Sequence, residues 1–365
     1  MKRNDWSVPV LAIVGLSLLG GAALGGSSVR GDDPVVVDVD TPDGTVHITW
    51  GGDTMLGDGA EARLKEYGYD WVFEDITALL SGDVVVVNAE GPITTIDEPF
   101  MPQKPYSYAS DPATAEALAN AGVDVLGLAN NHAMDQGPRG LIQTMEYADA
   151  AGMVSFGAGV DDAQAERPLL LKGSTLTVGI VALAKGYGTS VTAGSGRAGT
   201  VPFSDASITR GYKLAKAAGA DHVVAYVHWG RNYSPIPTSE QAREARRFEA
   251  AGYDLVIGHG PHVVQGLEMI DSMPVVHSLG NLVFGAPGRF DSMEADGYGL
   301  LADTVFGTDG LKEIRLTCIL TDNQEIDYQP TACGEQEAQE VLSGLGVPVS
   351  IDGHSATVDL DAATR

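Results

Sequence analysis

Gly82-Asp83-Val84-Val85-Val86-Val87 leads directly into Asn88, Ala89 and Glu90. In this stretch a Gly and an Asp precede a short apolar run, and residues able to bind metal follow it. The arrangement recurs in Gly122-Val123-Asp124-Val125 before Asn130-Asn131-His132, in Gly219-Ala220-Asp221 before His228, and in Gly252-Tyr253-Asp254 before His259 and His262. The glycines are typical of helix C-caps and the apolar runs of buried strands. The repeats therefore predict helices that alternate with largely parallel strands.

Asp53 lies at the end of a further predicted strand, in which Val46, Ile48 and Trp50 alternate with polar residues. In open α/β sheets, ligands bind in the crevice beyond the carboxyl ends of the strands. We therefore expect these strands to share one sheet and their polar ends to surround one metal-binding site. The predicted fold class is α/β, an α+β sandwich with central, mainly parallel sheets flanked by helices.

Helix starts are predicted from local signals at Asp111-Pro112, at Gly137-Pro138 and at the Thr238/Gln241 capping box. The loop from Lys185 to Pro202 is either an active-site flap or a mobile surface segment. Its G-x-G-x-x-G spacing does not predict a dinucleotide site, because no strand leads into it and a proline follows where a helix should run.

The chain has 365 residues, of which 44% are hydrophobic, so it can bury a substantial core in one large domain. Its formal net charge of −27 excludes a nucleic-acid partner, because phosphate binding requires clustered Lys and Arg. Most of this acidity is expected to be solvated surface.

The N-terminal segment, residues 1–30, is predicted to be a signal peptide or a membrane anchor. Lys2 and Arg3 precede an uncharged, apolar run from Val8 to Ser28, and this order favours export of everything that follows. Secretion and retention at the membrane both remain open. Residues 31–44, rich in Asp and Pro, are predicted to form an acidic linker.

The remaining chain is predicted to form a catalytic-type domain over residues 45–325 and a C-terminal extension over residues 326–365. Leu300–Val305 and Ile314–Leu320 are expected to be strands of a second sheet or of the far edge of the first. Cys318 and Cys333 are the only cysteines, and in an exported protein such a pair more often forms a disulfide than a metal site.

The residues at the strand ends match the ligand set of a two-metal site. Two divalent ions roughly 3.5–4 Å apart need a bridging carboxylate and several terminal nitrogen and oxygen ligands. A single His at a strand end is more often structural than a ligand, but Asp, Glu, Asn and three His together favour metal binding.

Six short motifs resemble the CapA family of bacterial capsule-synthesis proteins, which includes the PgsA-type components of poly-γ-glutamate synthesis. The motifs are Gly-Asp53-Thr-Met-Leu-Gly, Asn88-Ala-Glu90-Gly-Pro, Asn130-Asn131-His132-Ala-Met-Asp135-Gln-Gly137, His228-Trp-Gly, Gly258-His259-Gly-Pro-His262-Val-Val-Gln and Ser278-Leu-Gly-Asn281. The resemblance covers about residues 46 to 285. It implies membership of the calcineurin-like metallophosphoesterase superfamily.

The resemblance also implies a role for each residue. Asp53, Glu90 and His262 would bind a first ion, and Asn131, His228 and His259 a second, with Glu90 as the bridge. The ions would be Mn, Fe or Zn. His132 would be the residue that donates a proton or hydrogen bond to the reacting group, and Asp135 either orients it or pairs with a loop backbone.

The chain departs from the superfamily pattern at two places. Met55 stands where the pattern has a His, and we interpret it as a packing residue because a thioether is a poor ligand for hard ions. His259 and His262 are separated by one residue more than in the pattern. Either weak occupancy of the first ion site or a single-metal state is therefore expected.

Two functions are consistent with these residues. The first is an exported or membrane-anchored, metal-dependent hydrolase-like protein that acts on an anionic polymer or a phosphoester. The second is a non-catalytic component of a membrane capsule-synthesis or export complex. Lys104, Tyr106 and Arg231 lie beside the predicted crevice and either meet an anionic substrate or are ordinary surface residues, the latter being favoured.

Overall fold

The computed structural model describes residues 33–363 apart from residues 186, 187, 189 and 289. The predicted signal peptide or anchor, residues 1–30, lies outside the described residues. Within them the strands are β1 (Val35–Asp38), β2 (Val46–Met55), β3 (Val84–Ala89), β4 (Val125–Gly127), β5 (Val154–Phe156), β6 (Ala158–Gly159), β7 (Leu169–Lys172), β8 (Thr177–Ala184), β9 (Gly199–Thr200), β10 (His222–His228), β11 (Leu255–His259), β12 (Val264–Ile270), β13 (Met273–Leu279), β14 (Asn281–Phe284), β15 (Tyr298–Gly307), β16 (Gly310–Leu320), β17 (Thr331–Ala332), β18 (Val349–Asp352) and β19 (Ser355–Val358).

The helices alternate with these strands, as the repeats predict. They are α1 (Glu61–Tyr67), α2 (Ala113–Asn120), α3 (Gly137–Ala150), α4 (Asp162–Ala165), α5 (Asp205–Ala217), α6 (Ser239–Ala251), α7 (Phe290–Met293), α8 (Asn323–Ile326), α9 (Glu335–Ser343) and α10 (Leu360–Ala363). Short 3-10 turns occupy Asp58–Ala60, Asp70–Phe73 and Thr77–Leu79. The predicted capping box of α6 is present, and the helix ends at Gly252 in the left-handed region (φ 99°). None of the described helices is long and apolar enough to cross a membrane.

Two large sheets form the centre of the fold. The first has the order β1-β7-β8-β10-β11-β13-β12, and the second has the order β18-β19-β16-β15-β2-β3-β4-β5, with β14 beside β2 and β17 beside β16. Strands β8, β10, β11 and β13 are parallel in the first sheet, as are β2, β3, β4 and β5 in the second. The α/β prediction is confirmed.

The expectation that the repeats share one sheet is wrong. The strands of the first two repeats, β3 and β4, belong to the second sheet, whereas β10 and β11 belong to the first. An apolar run indicates that a strand is buried. Which strands pair with it depends on long-range packing, which the run does not specify. The predicted strands near residues 300 and 316, β15 and β16, lie in the second sheet next to β2.

The main core lies between the two sheets, and helices cover their outer faces. Val84 and Val86 of β3 point into this inner core, while Val85 and Val87 pack with α2 and α3 on the outer face. Strand β10 alternates in the same way, with Tyr226 in the inner core, where its ring lies 6.1 Å from that of Trp50. Both strands are buried on two faces, which explains their continuous apolar sequences.

The Asp of each repeat is hydrogen-bonded to the backbone of a neighbouring strand, at the amino end of that strand. The carboxylates accept backbone N–H hydrogen bonds at 2.7–2.9 Å, and the pairs are Asp83 with His47, Asp124 with Val85, Asp221 with Thr177, and Asp254 with Val223. Each hydrogen bond satisfies a backbone N–H at the end of a parallel pair of strands. The Asp that precedes each strand in the repeat is therefore a structural residue.

The two ends of the described chain join the sheets. Val35–Asp38, within the stretch predicted to be a linker, pairs with Leu169–Lys172, because its apolar residues can complete the edge of the first sheet. In the C-terminal part, β18 and β19 extend the second sheet beside β16. Cys318 and Cys333 form a disulfide, as predicted, and it ties β16 to the chain after β17.

Candidate metal centre

The polar strand ends of both sheets meet at one place. Asp53 comes from β2 and Asn88 from β3 in the second sheet, and these two residues are paired in register. His228 ends β10 and His259 ends β11 in the first sheet, also in register. Because the strands of each sheet are parallel here, their carboxyl ends face the same crevice.

Asp53 is brought into this crevice by a close approach of two backbones. Its N–H donates to the carbonyl of Gly280 at 2.9 Å. A Cβ atom on Gly52 would lie 2.1 Å from that same carbonyl oxygen, so a side chain there would push the strands apart. Gly52, directly before Asp53, is thus a steric requirement of the site.

Glu90, directly after β3, is the centre of the cluster. Its Oε1 lies 3.7 Å from His228 Nε2 and 3.8 Å from His132 Nε2, and its Oε2 lies 3.8 Å from His262 Nδ1. The side chain is fully buried. Burial raises the pKa of the Glu90 carboxyl well above its ordinary value, His262 opposes this shift, and the carboxylate of Asp53 adds to it.

Asp53 is buried to the same degree but is well supplied with hydrogen bonds. Its Oδ1 accepts from Asn88 Nδ2 at 2.7 Å, and its Oδ2 accepts from the backbone N–H of Gly260 at 3.1 Å and lies 3.2 Å from His262 Nδ1. Burial alone would raise its pKa. The hydrogen bond and the charge of His262 instead hold the pKa of Asp53 well below its ordinary value.

The three histidines of the crevice have different electrostatic surroundings. Burial lowers the pKa of His228 to about 3 and that of His259 to about 4, although Asp53 opposes both shifts. Burial also disfavours a charge on His262, but the carboxylates of Glu90 and Asp53 outweigh it and raise the pKa of His262 to about 9. His228 and His259 are therefore neutral near pH 7, which is the form that binds metal.

The cluster fits a metal ion on two observations. Ligand atoms of Asp53, Glu90 and His228 all lie within 4.8 Å of one another. Both oxygens of Glu90 and both ring nitrogens of His259 are buried, and no hydrogen-bond partner for them occurs among the described residues. Buried polar atoms are almost always paired. Neutral His259 carries a proton on one ring nitrogen, so three of these four atoms are acceptors that a bound ion could satisfy. A divalent cation satisfies oxygen and nitrogen acceptors at once.

His132 and Asp135 form a hydrogen-bonded pair beside the cluster. His132 Nδ1 donates to Asp135 Oδ2 at 2.6 Å, which leaves Nε2 facing Glu90. Asp135 Oδ2 also accepts from the backbone N–H of Tyr108 at 2.8 Å, so both alternatives raised for Asp135 occur together. Burial lowers the pKa of His132, Asp135 opposes this shift, and the charge of Lys104 adds to it.

The structure thus brings most of the predicted site residues together. Asn131 lies beside His132, and its Oδ1 is another buried oxygen without a partner in the described part of the chain. Asp53 and His228 lie in one group with Glu90, although Asp53 was predicted to bind the first ion and His228 the second. The assignment of each residue to an ion therefore stays a prediction. Met55 is buried at the end of β2, as expected for a packing residue.

Two residues of the site were not assigned roles from the sequence, and a third, Lys104, was expected to be a surface residue or to meet an anionic substrate. Asn88 Nδ2 also lies 3.2 Å from His228 Nδ1, so Asn88 links Asp53 to His228 across the two sheets. Asn281 Oδ1 lies 3.1 Å from His262 Nδ1. Lys104, favoured as a surface residue, has a side chain only 6% exposed. Asn88 and Asn281 stand in the quoted motifs and could have been found, whereas nothing local marks Lys104.

Aromatic side chains line the outer side of the histidines. The ring of Tyr108 lies 4.3 Å from that of His132, and Phe284 and Tyr233 lie 4.8 Å and 5.8 Å from His262. His262 itself has a left-handed backbone (φ 62°), which is unusual for a residue other than Gly. This conformation turns the His262 side chain back toward Asp53 and Glu90.

Comparison with known proteins places most of the chain in one family. The sequence pattern described as "Bacterial capsule synthesis protein PGA_cap" matches residues 47–286. The capsule biosynthesis protein CapA of Bacillus anthracis is 28% identical over 243 residues, which are 65% of this chain and 59% of the relative. The PGA biosynthesis protein CapA of Bacillus subtilis is 28% identical over 244 residues, covering 66% and 64%.

A third relative is a probable polyglutamine synthesis accessory protein of Mycobacterium tuberculosis, 27% identical over 65% of this chain and 74% of its own length. The chain spans about six tenths of the length of the two Bacillus relatives. Among solved structures, the NAD nucleotidase of Haemophilus influenzae aligns over 85% of this chain and 57% of its own, at 12% identity and a TM-score of 0.41.

Proposed function

The chain belongs to the PGA_cap family of bacterial capsule synthesis proteins, and we propose that it is an exported or membrane-anchored, metal-dependent hydrolase-like protein. It acts in the synthesis, export or trimming of poly-γ-glutamate or a related anionic capsule polymer. Family membership supports the capsule pathway. The hydrolytic role is carried by the site.

The observation that carries the proposal is the surroundings of Glu90. Two buried carboxylate oxygens without a partner in the described chain face nitrogen atoms of His132, His228 and His262. A site that serves only the fold has no need of His132, which is held by Asp135 and presents Nε2 to the same carboxylate. The pairing supports a group that is held ready to exchange a proton at Nε2 beside a metal.

The residues of the site have three separate roles: binding metal, exchanging a proton and excluding water. Asp53, Glu90, Asn131, His228, His259 and His262 would hold two divalent ions, of Mn, Fe or Zn. Bound there, the ions supply Lewis acidity and lower the pKa of water. Asp135 keeps the proton of His132 on Nδ1, so that Nε2 can exchange a proton with the leaving group. The aromatic side chains of Tyr108, Phe284 and Tyr233 limit the access of bulk water.

Two substrate classes suit this site. A phosphoester and a γ-glutamyl amide both require a polarised oxygen and an activated water. The names of the Bacillus subtilis and Mycobacterium tuberculosis relatives favour a polyglutamate chain.

The test is metal analysis combined with an activity screen on poly-γ-glutamate and on aryl phosphoesters. The wild type should carry Mn, Fe or Zn and shorten or hydrolyse one of the two substrates. His132→Ala should keep the metal and lose about 10²–10⁴-fold in turnover. His47→Ala is the matched control, because its side chain is exposed near the opposite end of β2. Full turnover in His132→Ala would refute the assignment.

A second function is favoured by Met55. This buried thioether occupies a position where the superfamily pattern has a metal-binding His, which suits a non-catalytic component of a membrane capsule-synthesis complex with a structural metal. Under this alternative, metal-loaded protein cleaves neither substrate, while deletion of residues 1–30 still abolishes capsule formation in cells. That pair of results would replace the hydrolase proposal.

A further inference from the structure

Lys104 is a buried lysine in a strongly acidic chain. Its side chain is 6% exposed, and burial lowers its pKa although Asp135 opposes the shift. Met101-Pro102-Gln103-Lys104 forms a turn in which the Lys104 N–H donates to the Met101 carbonyl at 2.9 Å, with Pro at the position that favours such turns. Pro105 follows and restricts the Lys104 backbone further. The ammonium group is thus delivered by a constrained loop.

The ammonium group lies against both members of the His132–Asp135 pair. Lys104 Nζ donates to Asp135 Oδ1 at 2.5 Å. It also lies 3.0 Å from His132 Nδ1, but this is a close approach of two donors and not a hydrogen bond, because Nδ1 donates its proton to Asp135. Asp135 therefore receives Lys104 on one oxygen, and His132 Nδ1 and the Tyr108 N–H on the other. A carboxylate bonded on both oxygens cannot rotate, so the direction in which it accepts the His132 proton is constrained.

Lys104 also holds the backbone next to His132. Its Nζ donates to the carbonyl of Asn131 at 2.8 Å. The loop that carries Lys104 is attached at two further points, where the Phe100 N–H donates to the Asp135 carbonyl at 2.8 Å and the Tyr108 ring packs 4.3 Å from that of His132. The loop, Asp135 and His132 are therefore one connected unit.

We propose that Lys104 is a positioning residue: it fixes Asp135 and the Asn131 carbonyl so that His132 keeps its proton on Nδ1 and presents Nε2 to the reacting group at Glu90. This inference rests on the proposed function for its catalytic meaning. The geometric part, a single His132 tautomer that depends on Lys104, can be measured without any turnover.

The experiment uses the full chain with bound metal and the variant Lys104→Met, which keeps the length of the side chain and removes its charge and donors. Nitrogen NMR of ¹⁵N-histidine protein, with His132→Ala for assignment, should show one Nδ1–H tautomer of His132 in the wild type and a mixture in Lys104→Met. With the substrate found by the activity screen, kcat should fall about 10- to 100-fold, KM should stay within about twofold, and metal content should not change.

Two further variants separate positioning from simple stability. Lys104→Gln keeps an N–H donor for Asp135. Its His132 tautomer ratio and its kcat should lie between those of the wild type and of Lys104→Met. This variant also tests the proposal if Lys104→Met folds poorly. Lys185→Met is the matched control, since Lys185 also forms ion pairs, with Glu240 at 2.7 Å and Glu244 at 2.6 Å, but does not contact Asp135 or His132 in the described structure. It should lose stability without changing the His132 tautomer.

The outcomes separate the two proposals. An unchanged His132 tautomer and unchanged kcat in both Lys104 variants would overturn the positioning role. A changed tautomer in a protein whose wild type turns over no substrate would support the positioning role and count against the proposed hydrolase.

Discussion

The two ends of the parallel strands carry acidic residues that the fold uses in opposite ways. At the amino ends, the Asp carboxylates of the four repeats accept backbone hydrogen bonds at 2.7–2.9 Å. At the carboxyl ends, both oxygens of Glu90 are buried without a partner in the described part of the chain. The repeated sequence unit therefore has a structural end, where the Asp is satisfied, and a functional end, where Glu90 and His259 have atoms without a partner in the described chain.

The difference between satisfied and unsatisfied carboxylates affects the stability of the fold. A buried polar group without a partner costs about 1–3 kcal/mol, and a charged one costs more. The Asp hydrogen bonds at the amino ends of the strands increase the free energy of unfolding. The Glu90 oxygens without a partner at the carboxyl ends decrease it until an ion binds. Substitutions at the two ends should thus separate stability from metal binding.

Glu90→Gln tests the carboxyl end and has the largest expected effect. Metal affinity should fall by at least about 100-fold, because loss of even an indirect partner of a metal ligand costs up to that much. The metal-free variant should be as stable as the metal-free wild type or more stable, since an unpartnered carboxylate becomes an uncharged amide. Elemental analysis and urea unfolding with a chelator measure both quantities. A metal-free variant that is less stable by more than about 1 kcal/mol would assign Glu90 to the fold instead.

Asp124→Ala tests the amino end, with a smaller effect of the opposite kind. The Val85 N–H loses its acceptor, so the free energy of unfolding should fall by about 1–2 kcal/mol while metal content stays unchanged. Asp124→Asn is the control, because its amide oxygen can still accept this hydrogen bond and should recover part of the loss. If Asp124→Ala lost metal but not stability, the two ends would not be independent.

The pH dependence at His222 is the smallest expected effect. The Asp254 carboxylate, 3.7 Å from His222 Nδ1, raises the pKa of His222 despite the opposing effect of burial. A raised pKa stabilises the fold below the unfolded-state pKa of about 6.5, and this contribution is lost as the pH rises through the raised value. His222→Gln should therefore cost up to about 1 kcal/mol at pH 5.5 and less at pH 8.5, as measured by urea unfolding. An equal cost at both pH values would exclude this contribution.

Local signals in the sequence predicted local structure well. The capping box of Thr238 and Gln241, the helix start at Gly137 and the strand with Asp53 near its carboxyl end all occur, because each depends on residues a few positions apart. The disulfide between Cys318 and Cys333 is likewise present, across a separation of 15 residues.

Long-range partners could not be predicted in the same way. Lys104 was favoured as a surface residue, yet it is buried against Asp135, 31 residues further along the chain. The distribution of the repeats over two sheets was missed for the same reason, since a valine run does not specify which strand lies beside it. These contacts depend on how the loops and sheets close over one another.

The sequence by itself determined which polar residues stand at the strand ends and in what order, because that information lies in short motifs. The tertiary structure decided which of them are satisfied. Asp53 accepts hydrogen bonds from Asn88, 35 residues away, and from the Gly260 N–H, 207 residues away. The Glu90 oxygens instead have histidine nitrogens at 3.7–3.8 Å, beyond hydrogen-bonding distance, and no hydrogen-bond partner in the described part of the chain. Hydrogen bonds act only at short range, so whether a buried carboxylate is paired depends on atoms that only folding brings together.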